Sequence, residues 1–286
     1  MIDSGIINVN KPSGITSNDV ISAIKKKLHP KKIGHLGTLD PEASGVLPVC
    51  INKATKLFDY YLKKDKIYRT IFVFGKETDT LDSEGQIAAV DDVNISTEQI
   101  LNIIPKLIGK VAQLPPKFSA KKVNGKKAYE LARKGVEFDL KSKDVEIYNI
   151  NVVKQISKNT FLLEIHCSSG TYVRSIARDM ASMLGTVAYV AAIIRTKSGN
   201  FKLETSVELN DISESTIIPL KNILKDWKNI FVKDEFYDKI TNGCILNCQE
   251  NDVDNVVVYC KSQLIGIGNI KNGHLKIITS LWEQND

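Results

Sequence analysis

The segment GHLGTLDPEASG, residues 34–45, places one acid, Asp40, directly before a proline in a loop rich in glycine and small residues. A carboxylate in such a loop can act as a nucleophile at an electron-poor carbon, as carboxylates do in sugar chemistry. An Asp before Pro also suits a helix N-cap with proline at the first helical position, or an Asx turn. Taken alone, the segment fits capping better than catalysis, because caps are common and catalytic acids are rare.

A second acid, Glu42, lies two residues after Asp40. Two carboxylates about 5–9.5 Å apart across a sugar would make a glycoside-hydrolase-like enzyme. Loop residues two apart seldom face one substrate in that way, so this alternative is the weaker one. We expect Glu42 to point to solvent, because a like charge facing Asp40 would slow catalysis.

Several cofactor and metal motifs are missing from the sequence. It contains no Walker loop, no G-x-G-x-x-G after the first strand, no H-E-x-x-H and no paired C-x-x-C. Cys244 and Cys248 are spaced C-x3-C, but only the isolated His274 follows, so the five cysteines are predicted to be free thiols. We therefore expect chemistry without a metal or a cofactor.

Positive charge is clustered more than the net charge of +6, from 39 basic and 33 acidic residues, would indicate. KKKLHPKK, residues 25–32, and KFSAKKVNGKK, residues 117–127, each contain five lysines. A charge run is often only a solvated face. Both clusters adjoin unusual loops, however, and lysines placed in this way contact nucleic-acid phosphates.

The elements that must position Asp40 are visible in the hydrophobic pattern. IINVNK is predicted to be a strand, followed by a helix that Ser17 can cap. GVLPVCI is predicted to be a buried strand with an edge proline, Pro48. KIYRTIFVFG is apolar on both faces, with Tyr68 on one of them, which predicts a central strand.

The second half of the chain continues the alternation of strands and helices. Ser96 and Gln99 form a predicted capping box, TFLLEIHC-SSG-TYVRSIARDM reads as strand, turn and helix, and TIIPLKNIL reads as a helix. Short β-like segments recur after residue 228. We therefore predict a catalytic domain at 1–228 and a small β-rich domain at 229–286.

Four segments occur in the order found in bacterial tRNA pseudouridine-55 synthases, the TruB family. They are NKPSGITSNDVI, GHLGTLDPEASGVLPV, KIYRTIFVFGKETDTLDSEG and SSGTYVRSIARDM. The resemblance covers roughly residues 5–200, although Leu36 and Ser44 replace the usual threonines and Glu42 replaces an apolar residue. It implies an α+β fold with a mixed, largely antiparallel central sheet and a diverged or shortened C-terminal PUA-like domain.

The resemblance also implies the activity: cofactor-free isomerisation of uridine 55 in the tRNA T-loop, by base flipping and without a guide RNA. An alternative is a tRNA-binding folding chaperone whose catalysis is dispensable. A cytoplasmic location is expected, because the sequence has no signal peptide and no apolar run long enough to span a bilayer. A monomer is what the family resemblance implies.

Site residues carry over from the family position by position. Asp40 matches the nucleophile, Tyr68 the tyrosine that stacks on uracil and assists proton removal at C5, and Arg174 the arginine partner of the nucleophile. Tyr172, His35, Lys11 and Pro12 match residues that bind substrate or brace the site. The lysine-rich excursion at about 112–145 matches an RNA-binding thumb, with Lys121 and Lys122 as its candidate phosphate contacts.

Overall fold

The computed structural model describes residues 2–123 and 125–282 of the 286-residue chain. Its α-helices are α1 (Ser17–Leu28), α2 (Phe58–Leu62), α3 (Thr97–Ile103), α4 (Ala128–Ala132), α5 (Val173–Met183), α6 (Leu220–Ile223) and α7 (Tyr237–Thr241). The strands are β1 (Gly5–Lys11), β2 (Ile33–His35), β3 (Ser44–Ile51), β4 (Lys66–Phe74), β5 (Lys76–Thr78), β6 (Ile87–Val90), β7 (Gly109–Gln113), β8 (Lys122–Val123), β9 (Lys126–Lys127), β10 (Lys143–Ser157), β11 (Thr160–Cys167), β12 (Ala188–Ser198), β13 (Phe201–Lys202), β14 (Val207–Glu208), β15 (Ile218–Pro219), β16 (Asn229–Val232), β17 (Leu246–Asn247), β18 (Val253–Cys260), β19 (Gln263–Lys271) and β20 (His274–Ser280).

A mixed, largely antiparallel sheet forms the core of the α+β fold, as the sequence predicted. Its main path runs β14-β1-β3-β12-β4-β11-β10-β7, with β4 between β12 and β11. The parallel pairs include β1 with β14 and β12 with β3, and the others along this path are antiparallel. The central position of β4 explains why both faces of its sequence are apolar: Tyr68 lies on the buried side.

The proline in β3 does not lie on an edge strand, so that part of the sequence interpretation is wrong. Pro48 lies opposite Asn8 of β1, while β2 and β12 flank the other side of β3. The Pro48 carbonyl accepts a hydrogen bond from the Leu36 N–H at 2.8 Å, one residue after β2 ends. The N–H that proline lacks would point to the same side, where no ladder continues, so the interior strand tolerates it.

The N-cap of helix α1 lies one residue earlier than the sequence indicated. Thr16, not Ser17, is the N-cap, and it forms a capping box with Asp19. The Ser17 hydroxyl instead contacts the backbone of Leu39 in the loop that carries Asp40. The predicted Ser96–Gln99 capping box is confirmed at α3. The TIIPLKNIL helix is confined to α6, since Pro219 cannot supply the N–H that a longer helix requires.

The C-terminal strands form a separate curled sheet in the order β16-β18-β19-β20-β17. Its core includes Val256, Val258, Ile265 and Ile270, all buried. Lys53 and Lys56 tie it to the first sheet through the carbonyls of Trp282 and Ser280. None of the helices in the described residues has the length and hydrophobicity required to cross a bilayer.

Candidate active site

The loop that carries Asp40 runs from Leu36 to Ala43, between β2 and β3. No helix begins at Pro41; a turn closes instead, with the Ala43 N–H donating to the Asp40 carbonyl at 3.1 Å. The capping interpretation of Asp40 is therefore wrong. The loop rejoins the sheet at Gly45, whose φ is +100° and where a Cβ would lie 2.3 Å from the Arg195 carbonyl oxygen. Only glycine permits this approach.

The Asp40 carboxylate pairs with Arg174, as the family resemblance implied. Arg174 Nη2 lies 2.8 Å from Asp40 Oδ2. The arginine side chain is only 4% exposed, whereas that of Asp40 is 42% exposed. The guanidinium therefore fixes the carboxylate from inside the protein, and the open side of Asp40 is left for a substrate.

Asp82 is a second acid on Arg174, and the sequence analysis missed it. Arg174 Nη1 lies 3.1 Å from Asp82 Oδ2 and donates to the Thr80 carbonyl, while Nη2 donates to the Phe118 carbonyl, both at 3.0 Å. Thr80 holds Asp82 in turn, through a 2.5 Å hydroxyl hydrogen bond to Oδ1. The polar loop GKETDTLDSEG contained this signal: an Asp in a glycine-bounded loop directly after a central strand.

Lys11 holds the far side of the loop that carries Asp40. Its side chain is fully buried, and Nζ donates to the carbonyls of Pro12, Ile15 and Pro41 at 2.8, 2.6 and 2.8 Å. Burial lowers the pKa of Lys11 to about 8, although the nearby charges of Glu42 and Asp40 act in the opposite direction. Lys11 therefore braces the residue that follows Asp40, and Pro12 beside it is exposed.

Two further side chains clamp the start of the loop. Ser17 Oγ accepts from the Leu39 N–H at 3.0 Å and donates to its carbonyl at 3.1 Å. Arg195, which the sequence analysis did not single out, donates to the carbonyls of Val46, Gly37 and Thr38. The sequence signal for Arg195 is a single charge that ends the apolar run VAYVAAII.

Both tyrosines predicted for the site lie close to Asp40. Tyr68 is 8% exposed and Tyr172 is partly buried. Burial raises the pKa of each phenol, and the negative charge of Asp40 raises it further. Gln113 anchors Tyr172 by accepting from its N–H at 2.8 Å and donating to its carbonyl at 3.1 Å. Both phenols are thus near enough to the Asp40 carboxylate to respond to its charge.

His35 ends β2, just before the loop that carries Asp40. Its Nδ1 is buried and has no hydrogen-bond partner among the described residues. Burial lowers the pKa of this imidazole, and the positive charge of Arg195 lowers it further. The ring is therefore favoured in its neutral form, which suits contact or space filling better than proton transfer.

Glu42 is exposed, as expected. Its carboxylate accepts a hydrogen bond from the Ser13 hydroxyl at 3.0 Å and also contacts Glu84. Burial raises the pKa of Glu84, and the charges of Asp82, Glu42 and Asp40 raise it further. Glu42, Glu84 and Asp82 are thus a group of carboxylates near Asp40.

The predicted thumb projects beyond the main sheet. β8 and β9 form their own two-stranded sheet, followed by α4. Lys122 is exposed, whereas Lys121 is partly buried and its Nζ donates to the Lys141 carbonyl. The Phe118 carbonyl at the base of this excursion accepts from Arg174, so the thumb and the site are joined.

Comparison with known proteins points to one family. The model of the TruB family pseudouridylate synthase N-terminal domain matches residues 25–173. The tRNA pseudouridine synthase B of Alkaliphilus oremlandii is 36% identical over 98% of this chain and 99% of its own length. That of Listeria welshimeri is 41% identical over 85% of this chain and 84% of its own length.

Solved structures support the same fold. A Cbf5-Nop10-Gar1 complex matches with a TM-score of 0.69 and 26% identity, covering 96% of this chain and 79% of the matched one. An H/ACA RNP bound to a substrate RNA containing 2'-deoxyuridine matches with a TM-score of 0.72, covering 98% and 85% of the two chains. At 23% identity, the second match shows the fold alone.

Proposed function

The chain belongs to the TruB family of pseudouridylate synthases, and we propose that it converts uridine 55 in the T-loop of tRNA to pseudouridine. The observation that carries this proposal is the ion pair between Asp40 and Arg174, with the arginine buried and the carboxylate half open. Relatives that match nearly the whole chain act on tRNA by name, which supports the substrate class.

Asp40 is the nucleophile of the proposed reaction. In the isomerisation the bond between uracil N1 and ribose C1′ breaks, the base turns, and a bond between C5 and C1′ forms. A carboxylate can hold one half of the substrate covalently during this exchange, either at C1′ or at the base. Arg174 orients the carboxylate, and Asp82 in turn orients Arg174.

The tyrosines hold the flipped base in this proposal. Taking a base out of its stack costs a few kcal/mol. Stacking on one aromatic ring returns about 1–3 kcal/mol, so Tyr68 and Tyr172 at the opening offset much of that cost. The Tyr68 oxygen is the group proposed to take the proton from C5.

Lysine side chains supply the contacts to the RNA backbone. The exposed lysines of the thumb, including Lys122, and those of the cluster at 25–32 are free to approach phosphates. No guide RNA enters the proposal, because the thumb provides a surface for the substrate itself. The curled C-terminal sheet is proposed as a shortened PUA-like RNA-binding domain.

The test follows tritium release from tRNA labelled at C5 of uridine, with the purified chain and no added RNA. Release by the wild type and none by Asp40→Asn supports the proposal and names the nucleophile. Asp92→Asn is the matched control, because the Asp92 side chain is fully exposed and lies outside the site. A tRNA with cytidine at position 55 tests the target position and should release no tritium.

Three other results would each contradict part of the proposal. Release by both the wild type and Asp40→Asn assigns the nucleophile elsewhere. Release from the cytidine-55 tRNA assigns a different uridine. Binding of tRNA by the wild type without any release replaces the synthase by the chaperone alternative.

A further inference from the structure

Arg195 carries a charge in the most enclosed part of the site. The residue is 1% exposed, yet no Asp or Glu of the described residues forms an ion pair with it. An uncompensated buried charge is costly, so it is retained only where its hydrogen bonds or its field serve a purpose.

The hydrogen bonds of Arg195 join the loop that carries Asp40 to the base of the site. Nε donates to the Val46 carbonyl at 2.7 Å and Nη2 to the Gly37 carbonyl at 3.0 Å. Arg195 lies directly opposite Tyr68 in the antiparallel pair of β12 and β4, so the two side chains project from the same face of the sheet. One rigid cation thus holds the loop that presents Asp40 and lies beside the phenol on neighbouring β4.

We propose that Arg195 is a positioning residue that holds the Asp40 loop beside Tyr68 and stabilises the negative charge of the Tyr68 phenolate before that phenolate takes the proton from C5. This inference rests on the proposed function. Arg195 does not touch the substrate; it acts through Tyr68 and through the loop carbonyls.

The proton that leaves C5 passes to Tyr68 in this proposal. After the C5–C1′ bond has formed, C5 carries both that bond and a hydrogen. The Tyr68 phenolate takes the hydrogen as a proton, and the electron pair of the C5–H bond restores the C5–C6 double bond. N1 takes a proton from solvent and the phenol returns its own to solvent, so substrate and product are isomers.

The groups around the phenol set the direction of the effect. Tyr68 is faced by Arg195 from β12, by Cys167 from β11 and by Asp40 from the loop. Burial raises the pKa of Tyr68 and the other two groups raise it further, whereas Arg195 alone lowers it. Removing Arg195 must therefore make the phenol harder to ionise.

The experiment titrates the phenol directly. The difference in absorbance near 295 nm between the wild type and Tyr68→Phe reports the ionisation of Tyr68. The same difference in absorbance is then measured between Arg195→Met and the double variant that carries Arg195→Met and Tyr68→Phe. Methionine suits this position, because an apolar side chain of similar length replaces a charge that has no carboxylate partner to orphan. We expect the titration to move upward by at least about one pH unit.

Kinetics supply a second readout. Under single-turnover conditions, the rate of tritium release by the wild type should rise with pH as Tyr68 ionises. In Arg195→Met the pH midpoint of this rise should move upward by as much as the Tyr68 titration does. The control is Arg69→Met, since Arg69 is 57% exposed, lies on the other face of β4 from Tyr68 and forms an ion pair with Glu164 of β11. The charge of Arg195 also lowers the pKa values of His35, Lys66 and Lys11. The Tyr68→Phe background separates the titrations of these groups from that of the phenol.

Three results would overturn the inference. One is a Tyr68 titration that is unchanged by Arg195→Met. Another is a phenol that stays protonated in the wild type until the protein unfolds. The third is failure of both Arg195→Met and Arg195→Lys to fold, which would assign Arg195 to the framework rather than to Tyr68. Absence of tritium release by the wild type would instead reject the proposed function, whatever the titration shows.

Discussion

Lys11 Nζ donates a hydrogen bond to the Pro41 carbonyl at 2.8 Å, one peptide unit beyond Asp40. The lysine is fully buried and reaches across from β1, so the sheet itself holds the loop that carries Asp40. The loop needs this external support because it contains no helix or strand of its own between residues 36 and 43.

Replacing Lys11 with Met should therefore lower the rate of the reaction more than substrate binding. Three carbonyls lose their donor, and the Asp40–Pro41 peptide gains freedom. We expect kcat to fall at least about tenfold with little change in KM, since small displacements near the reacting atoms are costly. Lys221→Met, at an exposed site on α6, is the control. An equal loss in both variants would refute the bracing role.

The same substitution should change how stability depends on pH. The pKa of Lys11 falls from 10.5 to about 8 on folding, so the folded protein binds fewer protons than the unfolded chain between these values. The wild type should gain stability as pH rises from 8 to 10.5, by up to about 3 kcal/mol from this group. Urea unfolding at several pH values should show a smaller gain in Lys11→Met. Equal pH dependence in both chains would contradict the shift.

Asp82 should be required for the orientation of Arg174. Its carboxylate lies 3.1 Å from Arg174 Nη1 and is only 14% exposed. In Asp82→Asn the guanidinium keeps Asp40 as its only carboxylate partner among the described residues and loses a charged anchor. We expect tritium release to slow by about 10- to 100-fold, comparable to the loss of a group that orients a catalytic partner. Asp92→Asn, which alters an exposed acid, should leave the rate unchanged.

Glu42 should weaken both folding and tRNA binding at neutral pH. Glu84 has a raised pKa, first from burial and then from the charges of Asp82, Glu42 and Asp40. The contribution of Glu84 to stability is therefore lost as the pH rises above 4.5, its pKa in the unfolded chain, and through its higher pKa in the folded protein. Glu42→Gln should flatten this loss in thermal unfolding and tighten tRNA binding several-fold at low salt. Weaker binding would show that Glu42 makes a favourable contact with the RNA.

Most of the secondary structure could be predicted from the sequence, and so could the part of the candidate site formed by Asp40, Tyr68 and Arg174. Alternation placed Tyr68 on a central strand, and the four family segments placed Asp40 and Arg174 together. Asp82 and Arg195 were missed because their roles depend on contacts across the chain: Arg195 acts on Gly37, 158 positions away. A charge that ends an apolar strand is ambiguous until the loop packed against it is known.

The proline in β3 and the cap of α1 illustrate a second limit. Pro48 was assigned to an edge because its missing N–H costs a ladder bond, but β2 ends where that bond would form. Ser17 was assigned to the cap by residue type, whereas its hydroxyl serves Leu39. In both cases a neighbouring segment, not the local sequence, decided the outcome.

The thumb lysines should determine how tRNA binding depends on salt. Each phosphate contact that is lost reduces the slope of log K against log salt by nearly one, because fewer counterions are released. Lys121→Ala with Lys122→Ala should lower the slope by about one to two and leave the single-turnover rate at saturation nearly intact. Lys122 is expected to contribute more, since Lys121 already donates to the Lys141 carbonyl. The matched control is Lys221→Ala with Lys225→Ala, two exposed lysines at α6 and just beyond it. An unchanged slope in the thumb variant, measured by filter binding at several salt concentrations, would remove the thumb from the RNA-binding surface.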